Sequence, residues 1–278
     1  MEPQGSLETH YAFLKGLPEG TPQFPYISND DIYGKTKSLE QNLEADENIS
    51  PFLVFLDVPK ETFDEATTSE KSPIKHCRFT YARHLQCLIL EVLSKAHEAA
   101  REGMISLFDS KISEMGLYST LERPGPVTRT YGQVSKQPDA QWLPHAPNED
   151  PSKPTVFLEV GYSETLGRLE NDAKRWLTCP RSPLMMVLLV KVYEYPKIVT
   201  QILAGLRKQQ WTMAGNNSAA TITRSDGTNY VDGALVMPFE FIFWREKDKE
   251  NPKEKDVVLK GRDLEAFAES VWRTQGLI

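Results

Sequence analysis

The pattern of hydrophobic and polar positions divides the chain into a polar first quarter and a more apolar remainder. Residues 1–75 are rich in Pro, Asp, Glu, Ser and Thr, and two apolar islands, Tyr11–Leu17 and Pro51–Val58, interrupt them. Segments of low hydrophobicity bury too little apolar surface to offset the entropy of ordering. We therefore expect a partly disordered N-terminal leader over residues 1–75, with one short strand near Phe52–Leu56, and a folded domain over residues 76–278.

Several segments place apolar residues at helical spacing. The longest runs from Ala82 to Glu102, and its apolar face consists of Leu85, Leu88, Ile89, Val92, Ala96 and Ala99. Gly103 interrupts this pattern, and Met104–Met115 continues as a second helical piece. Further helices are predicted over Thr165–Leu177, over Lys197–Gln210 and from Asp263 to Trp272.

Apolar and alternating runs predict the strands. Thr155–Val160 is almost entirely apolar, as expected for a central strand covered on both faces. Leu184–Tyr193 is similar, and because a helix links the two strands we expect them to be parallel. The turn Ser225-Asp226-Gly227 indicates a hairpin. Further strands are predicted over Val127–Val134, Asp139–Leu143, Ala219–Arg224, Asn229–Val236 and Met237–Trp244. This order of elements predicts an α/β (α+β) fold with a mixed sheet flanked by helices.

The charge balance and the absence of common motifs narrow the function classes. The chain carries 32 Lys and Arg against 39 Asp and Glu, which gives a net charge of −7. Proteins that grip a nucleic-acid backbone usually present a basic face. The balance therefore argues mildly against tight nonspecific binding, although a local basic groove is compatible with it. No P-loop, dinucleotide-type glycine motif or nucleophile elbow occurs in the sequence, and its histidines lack zinc-ligand spacing.

The compartment is indicated by the cysteines and by the apolar runs. Cys77, Cys87 and Cys179 are scattered, and reduced thiols are the simplest interpretation. The longest apolar run, Pro183–Val192, is too short to span a bilayer. The N-terminus has neither the basic nor the apolar region of a signal peptide. We therefore expect an intracellular protein, in the cytoplasm or the nucleus, that has no membrane partner.

The candidate chemistry lies within Ser135–Leu177, where two predicted strands each carry one carboxylate. Asp139 follows Pro138 at the start of one strand, and Glu159 stands inside the apolar run of the other. A carboxylate in such a run is costly to bury unless a charge pairs with it. A metal ion shared by Asp139 and Glu159 would supply that charge, and hard cations such as magnesium prefer oxygen ligands. We therefore predict a Mg²⁺ or Mn²⁺ site at these two residues.

This region resembles the PD-(D/E)XK nuclease-like superfamily, in particular the nuclease-like proteins common in fungal genomes. The matching residues are Pro138-Asp139, Glu159-Val160-Gly161, Ser163-Glu164, Asp172-Ala173 and Trp176-Leu177. The resemblance covers about 82–211 and extends loosely to the C-terminus. It implies a restriction-endonuclease-like core within 76–278 and magnesium-dependent phosphodiester hydrolysis of DNA or RNA. It also implies that the backbone carbonyl of Val160 completes the metal coordination.

The third catalytic residue of that family is a lysine two positions after the glutamate, where this chain has Gly161. Some relatives place the lysine on the following helix, and Lys174 is the matching candidate. The alternative interpretation is an ordinary helical ion pair between Lys174 and Glu170. Both interpretations stay open, because Lys174 falls at the flank of the apolar face.

Glu98 and Gln141 are weaker members of the candidate site. In the resembling family the first helix often lends a carboxylate to the metal site, and Glu98 is the matching position. Helical geometry projects Glu98 away from the predicted apolar face, which favours a solvated glutamate. Two function hypotheses follow: a metal-dependent nuclease, or a nuclease-like fold without cleavage that binds or assists other molecules, for example in a fungal biosynthetic pathway.

Overall fold

The computed structural model describes residues 9–45, 49–68, 74, 77–125, 127–145, 153–179, 184–204 and 218–278. Contacts divide the chain into two compact units. Unit 1 contains the chain up to Ser94 together with Thr128–Gln137 and Ser163–Arg168. Unit 2 contains Lys95–Val127, Pro138–Tyr162 and Leu169–Ile278.

The elements of the described residues are numbered in chain order. The helices are α1 (His10–Leu14), α2 (Asn29–Ala45), α3 (Lys60–Thr68), α4 (Lys95–Glu114), α5 (Leu166–Thr178), α6 (Phe239–Phe243) and α7 (Arg262–Thr274). The strands are β1 (Gln23–Pro25), β2 (Phe52–Leu56), β3 (Cys77–Ala82), β4 (Cys87–Val92), β5 (Leu121–Glu122), β6 (Arg129–Tyr131), β7 (Val134–Lys136), β8 (Ala140–Pro144), β9 (Val156–Gly161), β10 (Met186–Val192), β11 (Lys197–Ala204), β12 (Ser218–Ser225), β13 (Thr228–Met237) and β14 (Val257–Lys260).

Unit 1 is a sheet in the order β1-β2-β4-β3-β7-β6, in which only the pairing of β1 with β2 is parallel among the described strands. Its core gathers apolar side chains of α2, α3 and the central strands, among them Ile32, Phe63, Phe55 and Leu90. The predicted strand near Phe52–Leu56 is confirmed as β2. The predicted boundary near residue 75 between leader and domain stays a prediction, and unit 1 continues through it.

The predicted helix over Ala82–Glu102 is wrong. The chain there forms the end of β3, a 3₁₀ turn, and then β4, and the helix begins only at Lys95. Five of the six residues of β4 are buried. A run buried on both faces is apolar at every position, so it satisfies the helical template as well as the strand template. Helix α4 then continues through Gly103, where an added Cβ would lie 3.1 Å from the ring of Phe267. The glycine therefore allows α7 to pack closely against α4.

Unit 2 is a mixed sheet in the order β14-β13-β12-β11-β10-β9-β8-β5. Strands β9 and β10 are parallel, as predicted, with Glu159 opposite Leu189 and Gly161 opposite Lys191. The other pairings between the described strands of this sheet are antiparallel. The fold is therefore mixed α/β with two mixed sheets flanked by helices, which confirms the predicted fold class and replaces the single predicted sheet by two.

The two faces of the central strands of unit 2 have different partners. Leu158 and Val160 of β9 belong to the core that includes Met104 and Phe108 of α4 and Trp272 of α7. Phe157, one position along, contacts Trp176 of α5 with ring centroids 4.8 Å apart. Because side chains alternate along a strand, Glu159 shares the α5 face with Phe157.

Other predicted elements of unit 2 are confirmed in part. Strands β8 and β10, the hairpin of β12 and β13, and the helices α5 and α7 are confirmed. The helix predicted over Lys197–Gln210 is wrong for 197–204, which form β11, and its remainder lies outside the described residues. The strand predicted over Met237–Trp244 is wrong, since this segment contains α6. The strand predicted over Val127–Val134 is limited to β6, in the sheet of unit 1. Within the described residues, no helix has the length and hydrophobicity needed to cross a bilayer.

Candidate functional site

Asp139 and Glu159 lie at neighbouring positions of adjacent strands in unit 2. Strands β8 and β9 are antiparallel, and Ala140 pairs with Leu158. The backbone N–H of Asp139, just before β8, donates to the carbonyl of Leu158 over 3.0 Å. Asp139 therefore extends the ladder to the level of Glu159. Both residues are buried, at 7% and 2% exposure, so two carboxylates share a small, desolvated region of one sheet.

Hydrogen-bond donors of the chain hold each carboxylate. Asp139 Oδ2 accepts from the backbone N–H of Val160 over 2.7 Å. Glu159 Oε1 accepts from the indole Nε1–H of Trp176 over 2.7 Å. Hydrogen bonds to a carboxylate favour its ionised form and fix its orientation. Strand β9 thus orients Asp139, and helix α5 orients Glu159.

A buried imidazole links Asp139 to the start of α4. The ring of His97 is 1% exposed, with Nε2 3.4 Å from Asp139 Oδ1 and Nδ1 3.4 Å from Glu98 Oε1. Arg101 donates to Glu98 through Nε, over 3.1 and 3.2 Å, and through Nη2, over 2.8 Å. The structure therefore joins Glu98, His97 and Asp139 in one chain of polar contacts.

The sequence prediction missed His97, because it placed the helical register too early. With a helix that begins at Lys95, His97 shares its face with Ala100 and Met104, three and seven positions later, and all three are buried. A histidine on the buried face of a helix next to a glutamate is the signal that a correct helix boundary would have provided. Glu98 itself is 37% exposed, intermediate between the solvated and the site-bound interpretations.

The pKa of Glu98 predicts a pH dependence of stability. Burial acts to raise this pKa, but the hydrogen bonds and charges of His97 and Arg101 outweigh burial and lower it to about 2. A carboxyl group with a depressed folded-state pKa stabilises the native state above its unfolded pKa, and this contribution is lost as the pH falls through the folded value. We therefore expect Glu98→Gln to lower the melting temperature at neutral pH, and the difference to shrink as the pH falls from about 5 towards about 2.

Circular-dichroism melts of both proteins over that pH range measure this difference. Glu102→Gln is the matched control, because Glu102 contacts the same arginine over 2.6 Å but its side chain is 56% exposed, so its effect should be smaller. A Glu98→Gln difference that stays constant with pH would contradict the expectation.

The remaining predicted site residues lie at different depths. Gln141 is 1% exposed, and its amide donates to the carbonyl of Gly125 over 3.3 Å. Val160 contributes its N–H to Asp139, and its carbonyl role stays a prediction. Lys174 is exposed on α5, whereas both carboxylates are buried. Its catalytic role also stays a prediction.

A small cavity adjoins Asp139. Its volume is about 70 Å³, and its lining includes Arg101, Arg123, Pro138 and Gln141. A site-bound water needs about 10–15 Å³ of such volume, so the cavity has room for a few waters and not for a nucleotide. It would give water and small ions access to the Asp139 side of the site.

The two carboxylates have the chemistry that a magnesium ion requires. Among the described residues, no group of three or more His, Cys, Asp and Glu side chains is arranged to hold a metal. Magnesium, however, is commonly bound through one or two carboxylates and keeps several waters. An ionised carboxylate has about four acceptor positions, so one hydrogen bond to Asp139 or Glu159 does not exhaust its capacity. The pair therefore fits a hard cation.

No protein-family model and no curated protein matches the chain. Among solved structures, the chain is similar to the crystal structure of a candidate nuclease of the DUF820 family from Anabaena variabilis. The identity is 12%, the TM-score is 0.39, and the match covers 70% of this chain and 96% of the other. The assignment of the site therefore rests on the residues of this chain alone.

Proposed function

We propose that this protein is a metal-dependent phosphodiesterase that acts on nucleic acid, with Asp139 and Glu159 as its central carboxylates. The observation that carries the proposal is the pair of buried carboxylates at neighbouring positions of β8 and β9. Burying two like charges together is unfavourable unless positive charge is bound there. A structural role would be served better by apolar residues, which the rest of β9 contains.

The chain's own groups have defined tasks in this proposal. Asp139, Glu159 and the carbonyl of Val160 would hold a divalent cation, which lowers the pKa of a bound water and offsets phosphate charge. Val160 N–H and Trp176 orient the two carboxylates before substrate arrives. In the overall reaction one water adds to phosphorus and one ester P–O bond breaks. The products are a phosphate monoester and an alcohol, and the second proton of the water passes to the leaving oxygen.

The test is cleavage by the wild-type protein. Labelled single-stranded DNA, duplex DNA and RNA are incubated at low salt with Mg²⁺, with Mn²⁺ or with EDTA. Low salt is required, because a net charge of −7 opposes the approach of a polyanion. Ion-dependent cleavage of any of these substrates is the expected result. No cleavage of any of them in either ion would contradict the proposal.

A second candidate function is binding without cleavage. The specific observation in its favour is that Lys174, the predicted third catalytic residue, is exposed while the carboxylates are buried. In that case the protein should retain the labelled nucleic acid on a filter or in a gel shift and leave it intact. Retention of intact substrate in the presence of Mg²⁺ would replace the enzyme by this binding protein.

Ion binding has its own expected result. An ion that binds only the native state raises stability by about 2.7 kcal/mol at a free concentration of about a hundred times its Kd. We expect Mn²⁺ to raise the wild-type melting temperature by several degrees and to leave the double variant Asp139→Asn, Glu159→Gln unchanged. Asp109→Asn is the matched control, since Asp109 also accepts an indole N–H, from Trp142 over 2.9 Å. An equal rise in all three proteins would place the ion elsewhere.

A further inference from the structure

A buried lysine lies beside the candidate site on the neighbouring strand. Lys191 is 5% exposed in β10, whose seven residues are all buried. In the parallel pairing of β9 with β10, Leu189 stands opposite Glu159, and Lys191 stands opposite Gly161. Residues two apart on a strand share a face, so the side chains of Lys191 and Glu159 belong to the same face of the sheet.

The ammonium group of Lys191 extends across to the carboxyl end of β9. Its Nζ donates to the carbonyl of Tyr162, the residue directly after β9, and to the carbonyl of Val192 over 2.7 Å. The intervening residue of β9 is Gly161, which has no side chain to stand beside the lysine stem. The register therefore brings a cation to the end of the strand that carries Glu159, about 10 Å further along at the usual rise per residue.

We propose that Lys191 is a catalytic residue of this site, which contacts a non-bridging phosphate oxygen of the substrate and stabilises the charge that develops there. The inference rests on the proposed phosphodiesterase function and assigns to Lys191 the role predicted from sequence for Lys174. A fixed cation in a water-poor region acts on a phosphate more strongly than an exposed one. Lys191 forms no bond to phosphorus and transfers no proton, so the overall reaction is unchanged.

The structure offers a matched control in Lys197 of β11. The Nζ atoms of Lys191 and Lys197 lie over the same ring of Tyr193, 4.8 and 5.1 Å from its centroid. Lys197 is only half-buried and stands opposite Thr223 of β12, on the side away from β9. Substitution of either lysine by methionine keeps much of the stem and removes one cation beside Tyr193.

The experiment measures cleavage rates and Mn²⁺ binding for the wild type, Lys191→Met, Lys197→Met and Lys174→Met. For Lys191→Met we expect a rate loss of about a hundred- to a thousandfold, a larger loss in kcat than in KM, and an unchanged Mn²⁺ isotherm. Lys197→Met should cleave at the wild-type rate. Should Lys191→Met fail to fold, Lys191→Ala is assayed with added propylamine, and a rate that rises with amine concentration supports the proposal.

Different failures have different meanings. Wild-type cleavage with an undiminished rate in Lys191→Met, or no response of Lys191→Ala to the amine, overturns the role of Lys191 and leaves the phosphodiesterase intact. A loss in Lys174→Met without a loss in Lys191→Met returns the role to Lys174. Absence of cleavage by the wild type overturns the proposed function, and the assignment of Lys191 falls with it.

Discussion

Gly233→Ala is expected to lower the free energy of unfolding of unit 2 by about 2–5 kcal/mol. Gly233 has φ +90°, and a Cβ there would lie 2.3 Å from the carbonyl oxygen of Ala219. A left-handed backbone costs a residue with a side chain about 1–2 kcal/mol. Forcing an atom into a filled space costs about 1–3 kcal/mol more, and here the neighbour is backbone, which cannot rotate away.

The position of Gly233 explains why the chain needs this conformation. Strand β13 pairs with β12 as far as Gly233 and with β14 from Ala234 onward. Beyond the last β12 pair, the hydroxyl of Ser218 takes the place of a ladder carbonyl and accepts from Val236 N–H over 2.9 Å. The glycine therefore lies where the strand changes partners, which is a common position for glycine in a sheet.

Gly227→Ala separates the two costs of the Gly233 substitution. Gly227 has φ +76° in the hairpin turn, and a Cβ added there would meet no atom within 4 Å. Its replacement should therefore cost only the backbone term, about 1–2 kcal/mol. Thermal and urea unfolding of both variants measure the difference. Equal destabilisation by the two substitutions would show that the clash at Ala219 is relieved by movement of β12.

The parts of the fold that could be predicted are those with a single reading of their pattern. Strand β9 is a short apolar run, and the helix α5 that follows it requires a parallel return in β10. Strand β11 has the opposite property. Its buried residues Ile198, Thr200 and Ile202 alternate, but Val199 and Leu203 on the other face are apolar and half-buried. Those two residues fill the i+1 and i+5 positions and complete a helical pattern.

Helix α6 could not be predicted for a related reason. Phe239, Phe241 and Phe243 alternate as in a strand, yet Ile242 between them is equally buried. A short helix that is apolar all round carries no periodicity to distinguish it from a strand. The residue that decides is Pro238, which precedes the helix as its N-cap and has no N–H to donate to a ladder.

The candidate site was predictable in its charges and not in its supports. Asp139 and Glu159 could be recognised because a carboxylate in apolar surroundings needs a reason. Their partners, the imidazole of His97 and the indole of Trp176, come from helices far away along the sequence. Such contacts depend on how α4 and α5 pack on the sheet, and no local pattern contains that information. The same holds for Lys191, whose relation to Gly161 exists only through the register of β9 and β10.

Loss of charge at either carboxylate is expected to reduce cleavage by about a hundred- to a thousandfold. Asp139→Asn and Glu159→Gln keep the shape of each side chain, and the retained amide oxygen can still accept from Val160 N–H or from Trp176. The fold should therefore persist while the negative charge that holds the cation is lost. Initial rates on the best substrate, with circular dichroism as the check of folding, measure the effect.

Asp109→Asn is again the control that separates charge at the site from charge in the core. It removes a carboxylate that accepts an indole N–H over 2.9 Å, next to the packed rings of Phe108 and Trp142, but it lies outside the proposed site. We expect its cleavage rate to stay within about a factor of two of wild type, since it stabilises no developing charge. Equal losses in Asp109→Asn and Glu159→Gln would mean that the rate follows the stability of unit 2. A loss confined to Asp139→Asn and Glu159→Gln would instead identify these two carboxylates as the groups on which the chemistry depends.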